Sequence, residues 1–149
     1  MTSKYADLVN IAVGNRTICT RFEAHAGNKL NELYNELITF LGMPRDRIVR
    51  IDLKPHGEEH AAPGATVITS HGLKFGFRVH VDVVFVNFVS TICPAGDRLL
   101  VGTTEDETID VTDREGILRW CEWMEGYIRD GVAGTLDGTL AAKLRSPQL

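Results

Sequence analysis

The sequence has few of the motifs that would name a chemistry. It contains neither a G-x-G-x-x-G string nor a G-K-[ST] string, so no glycine-rich phosphate loop is indicated. Its three cysteines, Cys19, Cys93 and Cys121, are widely spaced and form no C-x-x-C pair. That number and spacing argue against a disulfide scaffold and favour a reducing compartment.

Long apolar runs and an excess of basic charge are also missing. The longest apolar run, from Val83 to Phe88, is broken by Asn87 and is too short to span a bilayer. The net charge of -4 argues against a general nucleic-acid binder, which needs basic side chains to meet the phosphates. The first residues show no charged start followed by an apolar run, so no signal peptide is expected. We therefore expect a cytoplasmic protein of 149 residues that binds neither a membrane nor a specific nucleic-acid sequence.

The N-terminal third is predicted to hold a hairpin and then a helix. Two apolar stretches, Leu8–Val13 and Arg16–Phe22, flank Gly14 and Asn15, which are residues typical of a two-residue hairpin turn. Apolar residues then recur at spacings of three and four from Asn28 to Leu41, which predicts a helix.

The stretch from Phe75 to Ile92 predicts one long strand whose two faces differ. Its odd positions form a nearly unbroken apolar face that we expect in the core: Phe75, Phe77, Val79, Val81, Val83, Phe85 and Val89. Its even positions change from polar to apolar along the strand: Arg78, His80 and Asp82, then Val84, Val86 and Phe88.

Shorter strands complete the predicted sheet. A tight turn at His71-Gly72 is expected to pair Thr66–Ser70 with the long strand, which places Ile68 opposite Phe75. Ile48–Leu53 is predicted to be a strand whose apolar face begins at Val49. Two further strands are predicted, at Arg98–Thr104 and Thr108–Val111. The fold class is therefore α+β, a mainly antiparallel sheet with a long central hairpin and two helices packed on it.

The second helix is predicted over Asp113–Asp130. Thr112 and Glu115 fit a T-x-x-E capping box at its start, and Gly131 is expected to end it. Its apolar stripe consists of Ile117, Trp120, Cys121, Met124 and Ile128. These limits predict one domain, residues 1–131, followed by a tail, residues 132–149, that is flexible or docked on a partner.

A histidine-rich loop is one candidate for catalysis or ligand binding. His56 and His60 fit the H-x-x-E-H string of inverted zinc proteases, in which a helix brings two histidines to one metal. Pro55 and Gly57 oppose such a helix, so we expect neither a metal nor another cofactor.

The long strand offers the other residues for such a site. Arg78, His80 and Asp82 share a strand face, where a histidine beside a carboxylate could act as a general base. A solvent-facing charged ladder is, however, the usual arrangement of such residues on the outer face of an antiparallel sheet. The alternative function is therefore a small enzyme or ligand-binding domain that uses residues 55–63 with His80 and Asp82.

Two apolar features point instead to an interface. The even positions of the long strand end in an apolar patch, and a leucine repeats every fourth residue in the C-terminal tail. Exposed patches of this kind mark interaction sites in soluble proteins. The predicted interface residues are Val84, Val86, Phe88, Leu136, Leu140 and Leu144.

The element order carries one resemblance. A helix and a short strand precede a Gly/Pro loop, a long hairpin of the form R-V-H-V-D-V-V-F-V and an acid-capped helix, D-R-E-G-I-L-R-W-C-E-W-M-E. This order, over about residues 28–131, resembles the tail-terminator and tail-completion proteins of tailed phages. The resemblance implies a non-enzymatic structural subunit of a homo-oligomeric ring in a virion, whose partners are its own copies and other assembly proteins. A third hypothesis is a cytosolic inhibitor that uses an acidic surface.

Overall fold

The computed structural model describes residues 3–53, 66–103 and 106–145. Its helices are α1 (Lys4–Leu41), α2 (Arg114–Ala133) and α3 (Leu136–Arg145), with a short 3-10 turn at Arg45–Arg47. Its strands are β1 (Ile48–Arg50), β2 (Val67–Thr69), β3 (Gly72–Val81), β4 (Val84–Ala95), β5 (Arg98–Gly102) and β6 (Thr108–Asp110).

The strands form one antiparallel sheet. Its order is β1-β3-β4-β5-β6, and β2 pairs with β3 beside β1. The predicted α+β class is confirmed, as are the strands that became β5 and β6. The central feature is the hairpin of β3 and β4, whose two strands pair from Leu73 with Ile92 to Val81 with Val84.

The predicted N-terminal hairpin is wrong, because residues 4–41 form one continuous helix of 38 residues. The Ser3 side chain caps its start by accepting from the Ala6 amide, and Gly42 ends it with a left-handed φ of 64°. Gly14 and Asn15 lie inside the helix with no left-handed backbone. The turn preference of these two residues was therefore overridden by the helical frame on both sides.

The predicted single long strand is also wrong, because the chain reverses at Asp82 and Val83. Asp82 adopts a φ of 56°, which aspartate tolerates better than a β-branched residue does. The reversal exchanges the faces, so that odd positions of β3 and even positions of β4 point to the same side. Phe77 therefore pairs with Phe88, and Val83 lies 83% exposed in the turn.

The faces of four predicted positions change as a result. Phe85 and Val89, expected in the core, are half exposed on the outer face, whereas Val86 and Phe88 are buried. Val86 and Phe88 were expected in a patch that the C-terminal tail or a neighbouring subunit covers, but helix α2 of the same domain covers them. The Tyr127 ring of α2 packs against the Phe88 ring, with 5.4 Å between the ring centres. The Tyr127 hydroxyl donates a hydrogen bond to the Asn87 carbonyl at 2.6 Å.

The two strands at the other edge pair differently from the prediction. Ile68 lies opposite Leu73, not Phe75, because the turn residues are Ser70 and His71 and Gly72 already belongs to β3. In β1 the faces are reversed: Ile48 is buried and Val49 is exposed.

Both long helices cover the same face of the sheet. The C-terminal half of α1 and the apolar stripe of α2 pack on β3 and β4, with the Trp120 ring 6.3 Å from that of Phe77. The two helices are tied at one end, where Arg114 pairs with Glu36 at 3.1 Å and Lys29 donates to the Thr112 carbonyl at 3.2 Å. The other face of the sheet carries no helix in the described part of the chain.

The start and the end of α2 differ slightly from the prediction. Asp113, not Thr112, is the N-cap and accepts from the Gly116 amide at 2.8 Å, while the Thr112 hydroxyl accepts from Leu99. The helix continues past Gly131, where the absence of a side chain lets the backbone approach Val86. A Cβ added at Gly131 would lie 2.8 Å from the methyl groups of Val86. The predicted stripe is confirmed, with Ile117, Trp120, Cys121, Met124 and Ile128 all buried.

Candidate interaction surfaces

The residues of the predicted catalytic alternative do not form one described cluster. His56 and His60 fall outside the described residues. Arg78 and His80 lie on the outer face of β3, whereas Asp82 lies in the turn and no longer shares their face. Among the described residues, no group of three His, Cys, Asp or Glu side chains is placed to hold a metal ion.

Arg78 and His80 on this outer face contact side chains of β4. Arg78 donates from Nε to the Asn87 side chain at 2.9 Å, and its guanidinium lies 4.4 Å from the centre of the Phe85 ring. The His80 ring lies 6.1 Å from the same phenylalanine. This arrangement resembles the predicted solvent-facing ladder, with an aromatic ring shielding part of it.

Two thiols are poor nucleophiles in this fold. Burial raises the pKa of Cys93, and burial together with the nearby carboxylates of Glu36 and Glu122 raises the pKa of Cys121 to about 12. A thiol with a raised pKa stays protonated near neutral pH and reacts slowly. The third cysteine, Cys19, lies exposed on α1.

The first half of α1 forms an exposed helical arm, which we define as residues 4–25. Between Ser3 and His25 only Ala6 and Phe22 are even half-buried. Large apolar side chains nevertheless crowd the arm: Tyr5, Leu8, Val9, Ile11, Val13 and Ile18 are all exposed, with Leu8 at 64% and Ile18 at 66%. The arm is therefore an apolar helix surface without a partner among the described residues.

The arm continues the stripe that α1 uses in the core. Counting back from Ala26 in steps of four and three reaches Phe22, Cys19, Asn15, Ala12, Leu8 and Tyr5. From Ala26 onward this face of the helix is buried against the sheet and α2, through Leu30, Leu33 and Leu37. The sequence signal that could have found the arm was this unbroken 3-4 spacing, which the hairpin interpretation of Gly14-Asn15 concealed.

A crevice lies where the arm leaves the domain. Ile18, Cys19 and Phe22 form one wall, and Ile68 with the β2–β3 turn and Gly96 form the other. Its volume is about 350 Å³. It could accept one or two apolar side chains from another segment.

The C-terminal helix α3 exposes its largest side chains. Gly138 and Ala141 are half-buried on its inner side, and a Cβ on Gly138 would lie 2.5 Å from the Ala133 carbonyl. The predicted interface residues Leu136, Leu140 and Leu144 point outward, at 84%, 53% and 76% exposure. Val84 is half-buried and lines a cleft of about 570 Å³ between the hairpin turn and α3.

No family model, curated protein or solved structure matches this chain. None of the described helices combines the length and the apolar character needed to cross a membrane.

Proposed function

We propose that this protein is a non-enzymatic structural or interaction subunit that works as a homo-oligomer. The observation that carries the proposal is the arm, an extension of a core helix with six large apolar side chains exposed to water. The outward leucines of α3 and the exposed Val49, Phe85 and Val89 of the outer sheet face add two more apolar surfaces. Apolar surface distributed in this way is typical of a subunit that contacts neighbours on several sides.

The arm's own sequence supports a requirement for a partner. Most of the stability of a helix in a protein comes from packing of its apolar face rather than from local propensity. The arm has little such packing among the described residues, and it contains Gly14 and several β-branched residues, among them Ile11 and Val13, which have lower helix propensity. Contact with a partner would stabilise the helix of the arm, which the local sequence favours only weakly.

A narrower form of the proposal is a virion component of the tail-terminator or tail-completion class. It is supported by the resemblance in element order, a helix and short strand before a long hairpin and an acid-capped helix. Neighbouring genes for other tail proteins would support this form. A gene placed away from any such operon, with no copies of the protein in purified particles, would contradict it.

Sedimentation of the purified full chain tests the broader proposal. We expect the mass to rise from one protomer toward a defined multiple as the concentration increases through the micromolar range. Circular dichroism on the same samples reports whether the fold is intact. A folded protein that sediments as a monomer at high micromolar concentration, alone and with candidate partner proteins, would refute it.

A further inference from the structure

We infer that the arm pairs antiparallel with the arm of a second copy, and that each tip docks at the crevice beneath the other arm. The inference rests on the proposed function and identifies its partner and surface. The contact is isologous, because the same residues serve both copies about a twofold axis.

The arm carries the spacing of a two-helix seam. Tyr5, Leu8, Ala12, Asn15, Cys19 and Phe22 alternate at three and four residues, as the a and d positions of a coiled coil do. An antiparallel pairing of these positions sets Leu8 against Cys19 and Tyr5 against Phe22 of the second copy. Ile11 and Ile18 then flank the seam on the same side and meet each other across it.

The docking of the tip follows from the same register. Phe22 and Ile18 are walls of the crevice at the base of the arm. A Tyr5 side chain placed against Phe22 of the second copy therefore lies at the mouth of that crevice. Each arm tip fills the base of the other, and both crevices close together.

The residues that flank the seam favour the antiparallel direction. Antiparallel pairing sets Ile11 against Ile18 of the second copy, so that two isoleucines shield each other. Parallel pairing would instead set Ile11 beside Arg16 and Ile18 beside Glu23 of the second copy. Antiparallel helices also place opposite ends of the two macrodipoles together.

The area is sufficient for a specific dimer. At about 150–200 Å² for a fully exposed large side chain, the exposed residues in or beside the seam, Tyr5, Leu8, Ile11 and Ile18, supply on the order of 450 Å² per copy. A standard interface uses roughly 800 Å² per partner. The walls of the crevice, including Ile68, contribute the remainder.

A membrane surface fits the arm less well than a second copy does. Helices that lie on membranes are rich in Lys and Arg along their polar face. The arm mixes Lys4, Arg16 and Arg21 with Asp7 and Glu23, so little net charge would attract anionic lipid.

Disulfide trapping in the full chain tests the register. The variant Leu8→Cys places a thiol opposite the native Cys19 of the second copy, so copper-phenanthroline oxidation should convert most of the chain to a covalent dimer. Peptide mapping should show a link between positions 8 and 19. In the proposed register the two native Cys19 residues are displaced by 11 positions, roughly 16 Å along the helices. A disulfide needs Cα atoms within about 7 Å, so the wild-type chain should give no dimer through Cys19.

Two controls make the trapping specific. The double variant Leu8→Cys with Cys19→Ser should lose the dimer. A disulfide between the two Cys19 residues in the wild type, together with a disulfide between the two copies of position 8 in that double variant, would mean parallel arms. That result would overturn the inference. Oligomers in sedimentation without any link between 8 and 19 would also overturn it, while leaving the proposed function intact; a folded monomer would remove both.

A pair of introduced charges gives an independent readout of direction. Ile11→Glu or Ile18→Lys alone should weaken dimerisation by roughly tenfold or more, because each sets a charge against an isoleucine twice per dimer. Combining the two substitutions places opposite charges across the seam and should recover part of that loss. Additive weakening in the combined variant, or binding to anionic vesicles without dimer formation, would overturn the inference.

Discussion

The two halves of α1 share one helix and one apolar stripe but have opposite surroundings. In the C-terminal half, Leu30, Leu33 and Leu37 are buried by the sheet and by α2. In the arm, Tyr5 and Leu8 occupy the continuation of that side of the helix and are mostly exposed. An amphipathic stripe therefore identifies a face that must be covered, but it does not show whether the covering segment belongs to the same chain.

The halves also differ in how strongly they specify a helix. The buried half is rich in leucine, glutamate and asparagine, and its amphipathic spacing is clear. The arm mixes Val9, Ile11 and Val13 with Gly14, a combination that also suits strands and turns. The weaker local preference of the arm is what a segment stabilised mainly by contact with another copy would show.

Matched charges on the two halves should separate folding from assembly, and this is the largest expected effect. Leu33→Asp buries an unpaired carboxylate in the core and should cost more than about 4 kcal/mol, enough to unfold the domain. Leu8→Asp lies on the arm and should leave the unfolding free energy of the dissociated chain within about 1 kcal/mol of wild type. Its effect should be loss of the oligomer.

Urea titration, followed by the emission of the buried Trp120, measures the free energy of unfolding. Sedimentation measures the loss of the oligomer. Leu8→Glu serves as a second charged variant on the same site. An oligomer that survives both arm substitutions would break the proposed difference between the two halves.

Glycines in two helices offer a smaller contrast of the same kind. Gly131→Ala in α2 would push a methyl group against Val86 and should destabilise the domain by about 1–3 kcal/mol. Gly14→Ala in the arm meets no atom within 4 Å and should favour the helix by about 0.5–1 kcal/mol.

The Gly131 variant is read by its urea midpoint, and the Gly14 variant by helical ellipticity at concentrations where copies are separate. Gly126, which also has open space beside it in α2, is the control for adding alanine to that helix. A Gly131→Ala protein as stable as Gly126→Ala would mean that α2 does not approach β4 as closely as described.

The sequence predicted the elements whose local and long-range preferences agree. The stripe of α2 and the strands β5 and β6 are of this kind, because their spacing and their neighbours favour the same structure. The reversal at Asp82 and Val83 was missed because a valine stands where hairpins usually carry glycine or asparagine, and the run of apolar residues continues through it. Missing one turn exchanged the faces of β4 and assigned Val86 and Phe88 to the surface.

The candidate surfaces were predictable only in part, for a different reason. The leucine spacing of Leu136, Leu140 and Leu144 was visible in the sequence, and the structure places all three on the outside of α3. The arm was not predicted, because the turn preference of Gly14 and Asn15 indicated a hairpin. The helical spacing of the arm is recognised only when it is traced back from Ala26. The exposure of an apolar face depends on which other elements of the fold pack against it. A local sequence pattern does not contain that information.

The smallest expected effect concerns the reactivity of two cysteines. Cys121 lies in the core with a pKa raised to about 12, so at pH 8 its thiol is protonated and inaccessible. Cys19 lies in the proposed seam, where a second copy would shield it. Leu8→Asp should therefore speed alkylation of Cys19 by iodoacetamide a few-fold and leave Cys121 unlabelled, as peptide mass spectrometry over a time course would record. Equal rates at Cys19 in wild type and variant would place this cysteine outside the contact, whereas rapid labelling of Cys121 would show that the substitution had opened the core.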